Sequence, residues 1–481
     1  MPDSRLSSRS FAVMLGQWRG AGPAYRDLAD AVRVLSLDGR IVPGTALPAE
    51  RDLAARLELS RTTVAAAYRD LRESGHLRSL RGSGSVVQAV GRMAAAPEPG
   101  GADTIDLSQA SPSAWPGLPE LFAEAASQAT RWVGRPGYDV RGDPELREAI
   151  AERYTARGLP TDATQIIVTT GAQAAISLLA DVLVRPGDRV AIETPTYPHA
   201  ADAFSRAGGR LTAIPVHLDS GWDLERAEHV LRRAAPSVVY TMPDFQNPTG
   251  ASMSQAAREE FVGLAADAGA VLVADETTAD LRIDPGGASA PLGAGMDPLL
   301  QRRVVTLGSL GKSVWGGLRV GWIRADVDLV QRLVSARPRR ELGTPEMEQQ
   351  VALLALARMP EILEQRARLL GAGRDALCAA LASRLPHWQV PCPPGGVALW
   401  VGLGEPVSSP LSWEARTRGL VISSGPRFGV DGGHERHLRI PFTAAPAILE
   451  RSVEILAEAW DSALSRARAG QPDEPLLASV V

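Results

Sequence analysis

The chain carries 51 basic residues, and one of them alone, Lys312, is a lysine, the other 50 being arginine. Arginine suffices wherever only a positive charge is wanted. It stays protonated, however, and cannot act as a neutral amine nucleophile, whereas lysine can lose its proton and bond to an aldehyde carbon as a Schiff base. Lys312 is therefore the first candidate for covalent chemistry, set against the plainer reading of a chance survivor on the surface. It lies in Ser309-Leu310-Gly311-Lys312-Ser313-Val314-Trp315-Gly316-Gly317-Leu318-Arg319, directly after Arg303–Leu307, an apolar run that reads as a strand. Loops at the carboxyl ends of strands are where open α/β sheets build ligand sites.

A lysine serving pyridoxal phosphate needs companions: an acid for the ring nitrogen, donors for the phosphate, a flat side chain over the ring and a donor to the phenolic oxygen. Each is present. Asp275 closes the apolar segment Ala270–Ala274, where a carboxylate can keep the ring nitrogen protonated. Gly171-Ala172-Gln173 opens a helix after a strand, and the free N–H groups of a helix start suit a phosphate. Ser309 and Arg319 add a hydroxyl and a bidentate cation for the same dianion. Tyr197, in Thr194-Pro195-Thr196-Tyr197-Pro198, can stack on the ring, and Asn247, in Gln246-Asn247-Pro248-Thr249-Gly250, can donate to its oxygen. Singly, each residue has a dull alternative as a cap, a turn or core packing. Jointly and in this order, they point to the cofactor.

The elements that must position these residues follow from the pattern. From Ile105 onward, short apolar segments (Gln165–Val168, Arg189–Ile192, Ser237–Thr241, Ala270–Ala274, Arg303–Leu307) alternate with helical stretches such as Ala172–Leu183 and Gln255–Ala268. That rhythm predicts an α/β fold with a mostly parallel sheet. With 481 residues, 45% hydrophobic and 22% charged, the chain has material for two or three domains and fits neither a disordered nor a membrane-embedded class. The apolar patch around Phe11 to Gly16 is too short to span a bilayer and has no cleavage site, which predicts a cytoplasmic protein. Cys378 and Cys392, without CxxC spacing, predict neither a disulfide framework nor a metal site.

Charge divides the chain. Residues 1–90 hold 13 arginines and 9 acidic residues, a net of +4, leaving −8 for the remainder. The segment from Ala94 to Ala102 is rich in Ala, Pro and Gly and reads as a linker. The expected layout is a DNA-binding domain over 1–89, a linker over 90–104, a cofactor-binding domain over 105–468 and a loose tail over 469–481. In the basic head, Tyr25–Ser36, Ala49–Leu57 and a third stretch from Arg61 to about Glu73 read as helices, with Ser60 as N-cap of the last. The latter two form a helix-turn-helix that leaves Arg61, Thr62, Thr63 and Tyr68 available to a DNA groove. Leu77–Val87 reads as a hairpin around Arg81-Gly82-Ser83-Gly84 whose arginines can touch phosphate.

This head resembles the winged helix-turn-helix of the GntR regulators, on Leu47-Pro48-Ala49-Glu50-Arg51-Asp52-Leu53-Ala54, Ser60-Arg61-Thr62-Thr63-Val64, Tyr68, Leu71, Gly75 and Gly82-Ser83-Gly84. The resemblance implies operator contacts from Arg51, Ser60 and Arg61. Residues 105–465 resemble the fold-type I aminotransferases, including Tyr138-Asp139-Val140-Arg141-Gly142 and His437-Leu438-Arg439-Ile440. That implies a homodimer in which Tyr138 reaches the neighbouring subunit's phosphate site and Arg439 clamps an α-carboxylate. The fusion is similar to the MocR subfamily of bacterial regulators, which implies a sensor in which an amino acid, an amine or pyridoxal phosphate itself acts through an aldimine on Lys312 to alter DNA binding. Two departures stand out. Thr277 occupies the position, two after Asp275, where the pattern has a tyrosine, and His199 stands where some members have an effector-binding arginine. The first weakens the case for the rival reading, a working aminotransferase with an accessory head. No metal is expected.

Overall fold

In the computed structural model, the structure describes residues 4–16, 18–19, 22–37, 39–80, 84–88, 104–287, 289–430 and 432–468. The head contains strands β1 (Ser4–Arg5), β2 (Thr45–Ala46), β3 (Leu77–Leu80) and β4 (Gly84–Val87), in sheet order β1-β2-β4-β3. Its helices are α1 (Ser8–Leu15), α2 (Ala24–Leu37), α3 (Glu50–Arg56) and α4 (Arg61–Glu73). Leu28, Val32, Leu53, Val64 and Leu71 recur at helical spacing and meet in one core with Phe11. Arg33 of α2 bridges Asp30 at 2.7 Å and Asp70 of α4 at 2.6 Å, fixing the pair. Periodicity placed α2 to α4 to within about two residues. It did not foresee α1, whose start is held by the Ser7 hydroxyl accepting from the Ser10 amide.

The body opens with β5 (Ile105–Asp106), whose parallel partner is β15 (Leu420–Val421). Its large sheet uses β6 (Ile166–Thr169), β7 (Arg189–Thr194), β8 (Arg210–His217), β9 (Gly221–Trp222), β10 (Val238–Thr241), β11 (Val271–Asp275), β12 (Val304–Ser309) and β13 (Gly321–Arg324). Their order is β6-β13-β12-β11-β10-β7-β8-β9. Strands β12, β11, β10, β7 and β8 pair in parallel, and β13 runs antiparallel between β12 and β6. The central strands are apolar along their length because helices cover both faces. A smaller lobe pairs β14 (Ala398–Gly402) with β16 (His437–Pro441), packed on the helices Met359–Arg384 and Pro446–Arg468.

One expectation fails here. Cys378, on the Met359–Arg384 helix, is joined to Cys392 in a disulfide with Cα atoms 6.7 Å apart. The chain turns back after Trp388 and runs beside the helix it has left, a return that sequence spacing does not encode. Among the described residues, no helix is long and apolar enough to cross a membrane, and no group of three His, Cys, Asp or Glu side chains is placed to hold a metal. Residues 89–103 of the head-to-body connection and the tail from 469 lie outside the described residues.

Candidate cofactor site and DNA-reading head

Strands β6, β7, β10, β11 and β12 point the same way, so the loops leaving their carboxyl ends face one region. Gly171 follows β6, Tyr197 follows β7, Asn247 follows β10, Asp275 ends β11 and Lys312 follows β12. The βαβ winding thereby gathers residues scattered from Gly171 to Lys312 in the sequence.

Lys312 is partly buried, and its Nζ donates to the Ala110 carbonyl. Burial and the nearby Arg439 guanidinium disfavour its charge; Asp275 opposes them, and the ammonium pKa settles at about 8 instead of 10.5. A sizeable fraction of the amine is therefore neutral near physiological pH. Arg439, from β16, is buried and donates from Nη2 to the Ser108 carbonyl at 2.6 Å. One short segment, 108–110, thus holds both cations by its backbone.

Asp275 is buried, and every oxygen it presents is engaged. Oδ1 accepts from the Thr277 amide at 3.0 Å and hydroxyl at 2.6 Å; Oδ2 accepts from the Tyr240 hydroxyl at 2.6 Å. Thr277, standing where a family tyrosine was expected, spends its hydroxyl on Asp275. Tyr240 was not foreseen, although a phenol in the middle of an apolar buried strand signals a required partner. The parallel register Tyr240↔Val273 brings it beside the end of β11. Burial and the adjacent carboxylate push its pKa far up, so it remains a donor.

The Asn247 loop is anchored from below by Glu193 on β7. This buried carboxylate accepts from Trp222, Thr241 and the Met242 amide through Oε1, and from Gln246 through Oε2. Burial lifts its pKa to about 7. Gln246 also donates to the Pro195 carbonyl at 2.7 Å, tying the Asn247 loop to the Tyr197 loop. Tyr197 packs against the core, with burial and Asp275 raising its pKa to about 12.

At the helix start, Gly171 has φ 83°, and a Cβ there would lie 2.6 Å from Arg319 Nη2. Glycine lets the guanidinium reach the first turn of the Ala172–Leu183 helix, where Arg319 donates to the Thr170 carbonyl. Ser309 accepts from the Gly311 amide and donates to the Val320 carbonyl. Gln173 donates to the His199 carbonyl. The buried Asn247 Oδ1, Thr170 hydroxyl and Gln173 Oε1 have no partner among the described residues. Buried polar groups are normally paired, so this set suits a polar guest: the Thr170 hydroxyl can donate to a phosphate and the Asn247 amide N–H groups to a phenolic oxygen, while the two amide oxygens are left as acceptors. The donors and the lysine together fit pyridoxal phosphate.

Two residues stand apart. Tyr138 is 74% exposed and reaches none of the cluster within its own chain. His199 is exposed, 3.6 Å from Asp202 and edge-on to Tyr197 at 5.4 Å, on a cleft with Gln173, Arg206 and Arg340. Phe428, also not foreseen, lies under the Arg439 guanidinium at 4.7 Å.

In the head, Arg51, Ser60, Arg61 and Thr62 are exposed and Thr63 is partly so. The Ser60 hydroxyl caps α4 by accepting from the Thr63 amide at 3.1 Å, and it also pairs with the Thr62 and Thr63 hydroxyls. Tyr68 must be corrected: it is not available to DNA. It is fully buried in the head's core and donates to the Pro48 carbonyl at 3.0 Å, which pins the turn before α3. Arg81 and Gly82 lie outside the described residues.

Comparison with known proteins agrees with both halves. The family model "Aminotransferase class I and II" matches residues 119–456, and that of the bacterial regulatory proteins of the gntR family matches 24–87. The uncharacterised HTH-type transcriptional regulator YisV of Bacillus subtilis is 26% identical, over 93% of this chain and 98% of its own. The probable rhizopine catabolism regulatory protein MocR of Rhizobium meliloti is 32% identical, over 63% of this chain and 65% of its own. The α-aminoadipate aminotransferase LysN of Thermus thermophilus, solved with N-(5'-phosphopyridoxyl)-L-leucine, superposes with a TM-score of 0.68 at 28% identity, over 75% of this chain and 93% of that one. The chain therefore belongs to the aminotransferase class I and II family and carries a head that matches the gntR family.

Proposed function

We propose that the protein is a homodimeric, DNA-binding regulator whose body holds pyridoxal phosphate and responds to an amino acid, an amine or the cofactor itself. One observation carries the reading: a partly buried lysine at the carboxyl end of β12, its charge disfavoured by burial and Arg439 and favoured by Asp275 so that its pKa is about 8, stands in a chain that also bears a helix-turn-helix. When bound, the cofactor supplies an aldehyde for an amine and an electron-withdrawing ring. The chain supplies the rest. Lys312 offers a neutral Nζ, Asp275 would face the ring nitrogen with a carboxylate oriented by Tyr240 and Thr277, and Asn247 would meet the phenolic oxygen. Gly171, Ala172, Gln173, Ser309 and Arg319 would hold the phosphate, Tyr197 would cover the ring, and Tyr138 of the neighbouring copy would complete the site. Arg439 takes a ligand carboxylate. Arg51, Ser60, Arg61, Thr62 and Thr63 form the DNA-facing edge of the head.

A net head charge of +4 supports few phosphate contacts, so two heads on two half-sites are needed for useful affinity. The test is a band shift with operator DNA selected from a random library, using wild type and Lys312→Ala, with and without pyridoxal phosphate and amino acids. Cofactor-dependent and ligand-dependent retardation is expected from wild type only. Retardation that ignores both in wild type overturns the reading. Transamination is the second reading, favoured by the neutral Lys312 amine; it requires keto-acid formation at enzyme-like rates without operator binding.

A further inference from the structure

The head touches the body at a place that communicates with Arg439. Arg40, just after α2, donates to the Ser409 hydroxyl at 3.3 Å, and Asp30 of α2 meets Arg466 at 3.5 Å. Between these contacts, Trp18, Ala31, Val34 and Leu35 of the head face Pro410 and Trp413 of the body across a narrow apolar cleft. The ion pair continues inward, since Arg466 also binds Glu414 at 2.8 Å.

Two paths lead from this seat to the site. Ser409 holds both oxygens of Glu435, its amide on Oε2 at 2.9 Å and its hydroxyl on Oε1 at 2.6 Å. The next residue back, His434, contacts the Thr194 hydroxyl at 3.1 Å at the end of β7. The second path is shorter. The Gly39 turn of the head lies against Arg427, whose Nη2 sits 3.9 Å from the position a Cβ would take. Arg427 donates to Asp202 at 2.9 Å, and its neighbour Phe428 points the other way, under Arg439. The Phe428 carbonyl accepts from the Thr196 amide at 2.9 Å, next to Tyr197. One turn, Gly425–Phe428, thus has one side chain on the head and the next on the candidate carboxylate clamp.

Resting on the proposed function above, we infer that the Gly425–Phe428 turn reports occupancy of Arg439 to the head, and that the Gly39–Arg40 turn of the head is the surface that receives the report. Arg439 has a buried Nε without a partner among the described residues. A carboxylate arriving there draws the guanidinium to itself, because a bidentate ion pair outweighs contact with a ring face. Phe428 then loses the cation packed over it, the turn shifts, and Arg427 no longer supports the Gly39 turn. The seat is small and partly polar, so a bias of about 1–3 kcal/mol, or roughly 5–150-fold, suffices to alter the population of docked heads.

The experiment uses the full-length protein loaded either with pyridoxal phosphate or with its reduced adduct to L-alanine. Both fill the cofactor site, and only the adduct brings a carboxylate to Arg439. Hydrogen exchange is followed by mass spectrometry in α2 and in the Ser408–Thr417 helix. Exchange in both helices is expected to be at least about fivefold faster with the adduct in wild type. In Arg427→Ala this difference is lost, while the bound cofactor keeps its visible absorbance. Arg40→Ala combined with Arg466→Ala is expected to show fast exchange with either occupant. Equal exchange for the two occupants in wild type overturns the inference, as does an undiminished difference in Arg427→Ala. Failure of the functional reading appears elsewhere: exchange responds to the adduct, but DNA retardation responds to neither occupant.

Discussion

The hydroxyl of Tyr240 lies 2.6 Å from Oδ2 of Asp275, donating from one parallel strand to the end of the next. With Thr277 on the other oxygen, this contact fixes the carboxylate that faces the ring nitrogen in the proposed site. Tyr240→Phe leaves that buried oxygen without its donor, at a cost of about 1–3 kcal/mol. Thermal unfolding of the cofactor-free protein should record the loss, and the visible absorbance of the bound cofactor should change its pH midpoint. A Tyr240→Phe protein identical to wild type in both would show that the contact has no role.

Lys312→Ala removes the one side-chain amine of the chain. Borohydride treatment of the cofactor-loaded wild type should fix one cofactor mass per chain, and the variant should fix none on any side chain. The exposed residues of the head are untouched, so cofactor-independent DNA binding should persist.

The depressed pKa of Lys312 gives a pH dependence. Only the neutral amine attacks an aldehyde, so its capture rate should rise about tenfold per unit up to about pH 8 and then level off. An unperturbed lysine would keep rising past pH 10. Stopped-flow mixing of cofactor-free protein with pyridoxal phosphate across about pH 6–10 distinguishes the two.

Arg439→Ala should weaken binding of the phosphopyridoxyl adduct of L-alanine by about 100-fold, the value of a bidentate charge-assisted pair. The corresponding adduct of methylamine, which has no carboxylate, should bind both proteins alike. Equal weakening of the two adducts would assign Arg439 to the fold.

In the head, Arg61→Ala should lower operator affinity and reduce the salt dependence by about one phosphate contact. Tyr68→Phe should do neither. It should instead cost about 1 kcal/mol of stability through the lost bond to Pro48, read by denaturant unfolding.

Residue types and local periodicity alone determined much of this protein. A single lysine after an apolar strand, an aspartate at a strand end and a glycine at a helix start were legible because each depends on neighbours within a few positions. The helices α2 to α4 were legible for the same reason. Tyr68 was misassigned because periodicity tells which residues share a helix face, and its phenol reached further, across the core to a carbonyl 20 residues away. Tertiary structure decided the rest. The antiparallel insertion of β13 and the Tyr240 contact join residues far apart in sequence, and the Cys378–Cys392 pairing and the Phe428 platform join nearer residues through reversals of the chain. Such meetings depend on strand order and chain reversal, which are settled by packing the whole core and leave no periodic trace along the chain.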